Sequence, residues 1–162
     1  MKINVVVNGI LSRIGDSTAR NILRTPDMYL LPVSITPCGD YRKGSIDQVS
    51  IELIDPSAVS VSLVTSTSLL NYGRPDVVVD FNPNSFFKQA IPEYLDAKTS
   101  FVLVSDKEEK SYAKIIKNLG VNIILLPENS SEQQVLAAIR YLHEKNEANI
   151  FGQVFSSDDI AA

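Results

Sequence analysis

Val5-Val6-Val7-Asn8-Gly9-Ile10-Leu11-Ser12-Arg13-Ile14-Gly15 is the stretch whose reading decides the fold. Consecutive β-branched residues without polar alternation predict a strand over 1–7 that is buried on both faces, as strands of a parallel sheet are. Asn8-Gly9 is a turn pair. A helix is predicted from Ser12 to about Arg24, with Ile14, Ala19, Ile22 and Leu23 inward; Thr25-Pro26 ends it, because a residue before proline avoids the helical region. Strand, tight glycine turn and helix follow one another without a spacer.

The same alternation continues along the chain. Residues 29–36 read as a second strand, and Pro37-Cys38-Gly39-Asp40 as a loop. Val49, Ile51 and Leu53 alternate with polar neighbours over 48–53, which is the period of a half-exposed strand and fits a hairpin with 41–46. A helix is expected over 57–70, a buried strand over 75–80, and a helix from the Asn82–Ser85 turn to about Asp96. A strand over 101–104 and a helix over 105–119 that stops at Gly120 come next. Last are a strand over 121–126 and a helix from Ser130 or Ser131 to about Glu144, followed by a fraying tail with one apolar run, 150–155. At least five strand–helix alternations predict an α/β fold, a doubly wound and mainly parallel sheet with helices on both faces, built as one domain over 1–162.

Composition narrows the function classes. The chain has 162 residues, 44% of them apolar and 21% charged, which suits one globular unit. Apolar runs such as 5–7, 77–79 and 123–126 fall far short of the roughly 20 residues of a membrane helix, and no signal-peptide core follows Met1. Fifteen basic residues against 19 acidic ones give a net charge of −4, with no basic stripe, so nucleic acid is not an expected partner. A single cysteine, Cys38, excludes an internal disulfide and a zinc thiolate cluster; a cytoplasmic setting is expected, or a plastid if the chain is plant-derived and processed. The single histidine, His143, reads as part of an exposed helix face.

In doubly wound sheets ligands bind outside the carboxyl ends of the strands. The first such loop is 8–15. Dinucleotide binding there asks for glycine at the tight turn, where the backbone meets the pyrophosphate, and where helix packs on strand. Gly9 and Gly15 fit the first and third roles, and Ser12 stands at the second. The Ser12 hydroxyl offers a hydrogen bond where its Cβ costs space, and the helix start offers free N–H groups to an anion.

These residues resemble the VxGxxGRMG opening of the 4-hydroxy-tetrahydrodipicolinate reductase family, nearest its plant-type branch, which opens with VNG. Arg74-Pro75-Asp76-Val77-Val78-Val79-Asp80-Phe81-Asn82 resembles that family's PDVVVDFT strand. Residues 101–105 resemble its PxVIGTTG strand, Leu125-Leu126-Pro127 its later APN segment, and 48–55 lies where plant-type members carry an insert. The resemblance runs in order over about 1–155. It implies a Rossmann-like domain that binds NADH or NADPH for a reductase of lysine biosynthesis. By position, Gly9, Ser12, Arg13 and Ile14 would face the pyrophosphate and adenosine, and Phe81 and Asn82 the nicotinamide. Ser105 and Asp106 would line the groove, and Pro127-Glu128-Asn129 would form a hinge.

Three departures stand out. The middle glycine is Ser12. The GTTG loop has become Val104-Ser105-Asp106-Lys107, which sets a carboxylate near expected phosphates. The family's second domain, with its SGT motif and His-Lys chemistry, has no counterpart here, so no catalytic residue and no metal ligand carries over. A second reading is therefore a non-catalytic homologue that acts as a scaffold or regulator, self-associating or binding a partner protein through surface that a second domain would cover. A third is a receiver-like domain with Asp80 as phosphoacceptor; it lacks the acidic pair after the first strand and the lysine before Pro127.

Overall fold

A computed structural model describes residues 2–36, 42–54, 73–81, 99–104 and 120–161. The helices expected over 57–70, 82–96 and 105–119 lie outside the described residues, as do Cys38, Asn82, Ser105 and Asp106.

The main sheet has six strands in the order β2-β1-β6-β7-β8-β9, and every pairing in it is parallel. They are β1 (Ile3–Asn8), β2 (Met28–Leu30), β6 (Val77–Asp80), β7 (Ser100–Val104), β8 (Ile123–Leu126) and β9 (Val154–Ser156). Val5, Val7, Val77, Val78 and Val79 have no exposed surface, so residues pointing to either face of the central strands are buried. That is why these strands read as continuous apolar runs rather than alternating ones.

The expected second strand, 29–36, is two strands. After β2 the chain leaves the main sheet, and β3 (Val33–Ile35) joins β5 (Val49–Ile54) in parallel in a three-stranded sheet of order β3-β5-β4. The break falls at Pro32, which has no N–H to give a ladder; Val33 N instead donates to Leu31 O at 2.8 Å. The hairpin of β4 (Arg42–Ile46) and β5 is antiparallel, as the alternation predicts. Asp47 and Gln48, which turn it, both have positive φ (46° and 70°), the shape of a type I′ turn. The Asp47 carboxylate is tied to Arg20 of α1 (Arg13–Leu23) and to Arg24, which caps that helix's end.

Helix α1 (Arg13–Leu23) buries Gly15, Thr18, Ala19 and Ile22, while Ile14 and Leu23 are half-buried. Helix α2 (Glu132–Glu147) starts at the capping box of Ser131 and Gln134 and runs three residues past the expected end. It packs on β6, β7, β8 and α1. Asp27 meets Arg140 through two contacts of 3.0 and 3.1 Å, and Ser17 of α1 donates to Glu132 of α2.

The tail does not fray. Residues 154–156 form the sixth strand, beside β8, and α3 (Ser157–Ala161) follows. The run 150–155 held the signal, but its strand is only three residues long and ends on a serine. The element order is that of an α/β, doubly wound, parallel Rossmann-like sheet. Among the described residues no helix is long and apolar enough to cross a membrane.

Candidate functional site

Strand order reverses at β1. The chain moves from β1 to β2 on one side and later to β6 on the other, and in doubly wound sheets the carboxyl ends of the strands at such a reversal are where ligands bind. Asn8 and Asp80 end those two strands as register partners, and each is 1% exposed. Phe81, half-buried, donates its N–H to Asn8 O at 3.2 Å. Gly9, Ser12, Arg13, Ile14 and Phe81 therefore gather around one strand junction.

The turn after β1 is held by β3. Gly9 N donates to Ile35 O at 2.9 Å and Ile10 N to Ser34 Oγ at 3.4 Å, while Ile35 N donates to Asn8 Oδ1 at 3.1 Å. Gly9 has φ of 76°, a conformation that glycine adopts without a Cβ penalty. Gly15 performs the packing role expected of it: a Cβ there would lie 2.1 Å from Gly9 O.

Ser12 is the N-cap of α1. Its hydroxyl accepts from Gly15 N at 3.1 Å and donates to Gly9 O at 2.7 Å. The proton that the sequence reading offered to a phosphate is thus committed inside the turn, because Gly9 O is the nearer acceptor. The N–H groups of Leu11, Arg13 and Ile14 carry no hydrogen bond among the described residues. Arg13 is exposed and forms no ion pair among the described residues, in contrast to Arg20 on the same helix and Arg24 at its end. A helix start with unmet donors and a free guanidinium is a setting for an anion.

Sequence reasoning passed over Asn8, which it took only as half of a turn pair. Its Oδ1 is used, but Nδ2 is buried and has no partner among the described residues, as is true of Oδ2 of its register partner Asp80. A buried donor left unmet costs about 1–3 kcal/mol, so native structures seldom keep one. Nothing in the linear sequence separates this asparagine from an ordinary turn residue.

Other expectations come out as follows. Leu11 is 47% exposed, so it does not fold into the core. The tail lies at β9, separated from β1 by β6, β7 and β8, and so is not what covers the Gly9–Ser12 turn. Pro127, Glu128 and Asn129 form an exposed turn before α2. His143 is less open than expected: its side chain is 24% exposed, with Nε2 3.4 Å from Glu147 Oε1, because the last turns of α2 still pack on the sheet. No group of three or more His, Cys, Asp or Glu residues able to hold a metal occurs among the described residues.

No family model matches the chain, and no curated protein matches it. Among solved structures it is similar to a short chain dehydrogenase family protein from Francisella tularensis subsp. tularensis SCHU S4. The TM-score is 0.50 at 12% identity, over 99% of this chain and 88% of that one. At that identity the likeness is one of fold: the sheet order and the βα opening are those of a Rossmann-type protein.

Proposed function

We propose that the crevice over Gly9, Ser12, Arg13 and Ile14 binds the pyrophosphate of NADH or NADPH, and that the domain presents this cofactor without catalytic residues of its own. The observation that carries the reading is the first turn of α1, where unmet N–H groups and an unpaired Arg13 guanidinium stand beside the packing glycine, Gly15. The resemblance to the 4-hydroxy-tetrahydrodipicolinate reductase family supports the finer version. There, the chain corresponds to the cofactor-binding half of a reductase that passes hydride to a cyclic imine. In this version Phe81 and Asn82 stand near the nicotinamide, and Ser105 and Asp106 line the groove.

Calorimetric titration of the full chain with NADH and with NADPH tests the proposal. The expected result is a micromolar dissociation constant for at least one of them, near −8 kcal/mol. Ser12→Gly, which removes a Cβ from the phosphate side, is expected to tighten it. No heat from either protein with either cofactor would move the reading to the non-catalytic scaffold, for which light scattering should show self-association or a stable partner. The receiver-like reading is disfavoured by Asp80, which at 1% exposure is closed to a phosphodonor.

A further inference from the structure

We infer that a pocket at the carboxyl end of β8 binds a small uncharged molecule, a ring of about ten non-hydrogen atoms or fewer that carries one hydroxyl or carbonyl group. The pocket has a volume of about 230 Å³ and is lined by Leu126, Gln133, Gln134, Ala137, Ser157 and Ile160. Leu126 ends β8, the next three belong to the first turns of α2, and the last two to α3. The gap has a local cause. Gln133, Ala137, Tyr141 and Lys145 recur at every fourth position and so share one face of α2. Tyr141 fills the space against the tail, its ring edge-on to Phe155 with centroids 5.0 Å apart, and Lys145 Nζ lies 4.9 Å from the Tyr141 ring. One turn earlier the residue is Ala137, whose methyl reaches less far, and α3 spans the space without filling it.

The lining states the chemistry of the ligand. None of the six residues is ionisable, in a chain of which 21% is charged. A charged ligand would lose hydration there and meet no counter-ion. Leu126, Ala137 and Ile160 supply apolar surface, and a dry apolar cavity of about 150 Å³ already admits benzene. Gln134 spends its amide oxygen on the α2 cap, accepting from Ser131 N at 2.7 Å. The Gln133 amide and the Ser157 hydroxyl have no hydrogen bond among the described residues, and together they offer a donor and an acceptor to one polar group. The pocket shares the carboxyl side on which doubly wound sheets hold ligands, two strands along from β6. It is separate from the Gly9–Ser12 turn and does not depend on the dinucleotide reading.

The test is a methyl 13C–1H spectrum of the full chain titrated with phenol, with toluene and with benzoate, read at Leu126, Ala137 and Ile160. Saturable shifts are expected with phenol and toluene, at a dissociation constant of about 1 mM or below. Benzoate should bind more weakly than phenol by about tenfold or more. Ala137→Leu fills the pocket and should abolish the phenol and toluene shifts at Leu126 and Ile160. The double variant Gln133→Ala, Ser157→Ala keeps the apolar surface and should weaken phenol by about fivefold while toluene stays within about twofold. No saturable shift in the wild type, benzoate binding as well as phenol, or shifts that persist in a folded Ala137→Leu would each overturn the inference. So would a double variant that binds phenol as the wild type does, whether or not Ala137→Leu folds. No dinucleotide enters this titration, so its outcome and that of the NADH and NADPH calorimetry are read separately.

Discussion

Two asparagines, Asn8 and Asn122, are buried at opposite ends of the sheet, and they are treated differently. Asn122, wholly buried just before β8, has both ends of its side-chain amide met. Its Nδ2 donates to Asn146 Oδ1 at 3.1 Å and to Ile150 O at 2.6 Å, and its Oδ1 accepts from Gln153 N at 3.0 Å. Ser100 Oγ joins the same Asn146 oxygen at 3.2 Å. This seam staples the chain leading into β9 to the amino ends of β7 and β8. Asn8, at the carboxyl end of β1, has half of its amide unmet. A saturated polar network fixes one arrangement. An unsaturated one does not, and Asn8 stands beside the helix start on which the proposed function rests. The amino end of the sheet is thus closed by a met polar network, and the carboxyl end is where the proposed binding site lies.

The largest effect that separates the two ends is expected from Asn122→Ala. It removes three hydrogen bonds and leaves buried partners unmet, at a cost of about 3 kcal/mol. A melt should fall by roughly 10 °C. Cofactor affinity should stay within a factor of two, and a loss of affinity matching the loss of stability would break the comparison. Gly15→Ala should act on both quantities. Its Cβ meets Gly9 O at 2.1 Å, so α1 must shift, costing about 2–3 kcal/mol and moving the N–H groups that would face a phosphate. Retention of full affinity in a measurably destabilised Gly15→Ala would separate the loop from the ligand. Ser12→Ala, which deletes the cap on Gly15 N, should cost about 1 kcal/mol, whereas Ser12→Gly should cost only a few tenths. Chemical denaturation of the pair sharpens the distinction between Ser12 as cap and Ser12 as phosphate contact.

The smallest effect is electrostatic. Hydrogen bonding to the Arg140 guanidinium, with its charge, holds the Asp27 carboxyl below its ordinary value of 3.8, against a smaller opposing push from burial. A carboxyl depressed in the folded chain stabilises it above the unfolded value, and that contribution is lost as pH falls through the folded one. Both side chains are close to half exposed, so solvent screening limits the pair to about 0.5 kcal/mol. Asp27→Asn should therefore lower stability slightly at neutral pH and hardly at all well below pH 4, as urea unfolding at the two pH values would show.

Much of this architecture is legible residue by residue. Val5-Val6-Val7 and Val77-Val78-Val79 announce parallel strands because burial on both faces leaves no room for polar alternation. Gly15 announces the close approach of α1 to the Gly9 turn, and Ser131 announces the start of α2. Pro32 sits in plain view, yet the split it causes depends on β5 being there to receive β3, a pairing that no local pattern encodes. β9 is short and little buried because it is an edge strand, so its periodicity is too brief to read. The site is half legible. Gly9, Ser12, Arg13 and Ile14 follow from the strand–turn–helix pattern, whereas Asn8 emerges only when Ile35, 27 residues away, takes one end of its amide.

The most direct measurement is a map of backbone amide shifts over the full chain on saturation with NADPH, comparing the two ends of the sheet. The account predicts large shifts at Gly9, Leu11, Arg13, Ile14 and Phe81, and small ones at Asn122, Asn146, Ile150 and Gln153. Shifts centred on the second group, or none in the first, would contradict it.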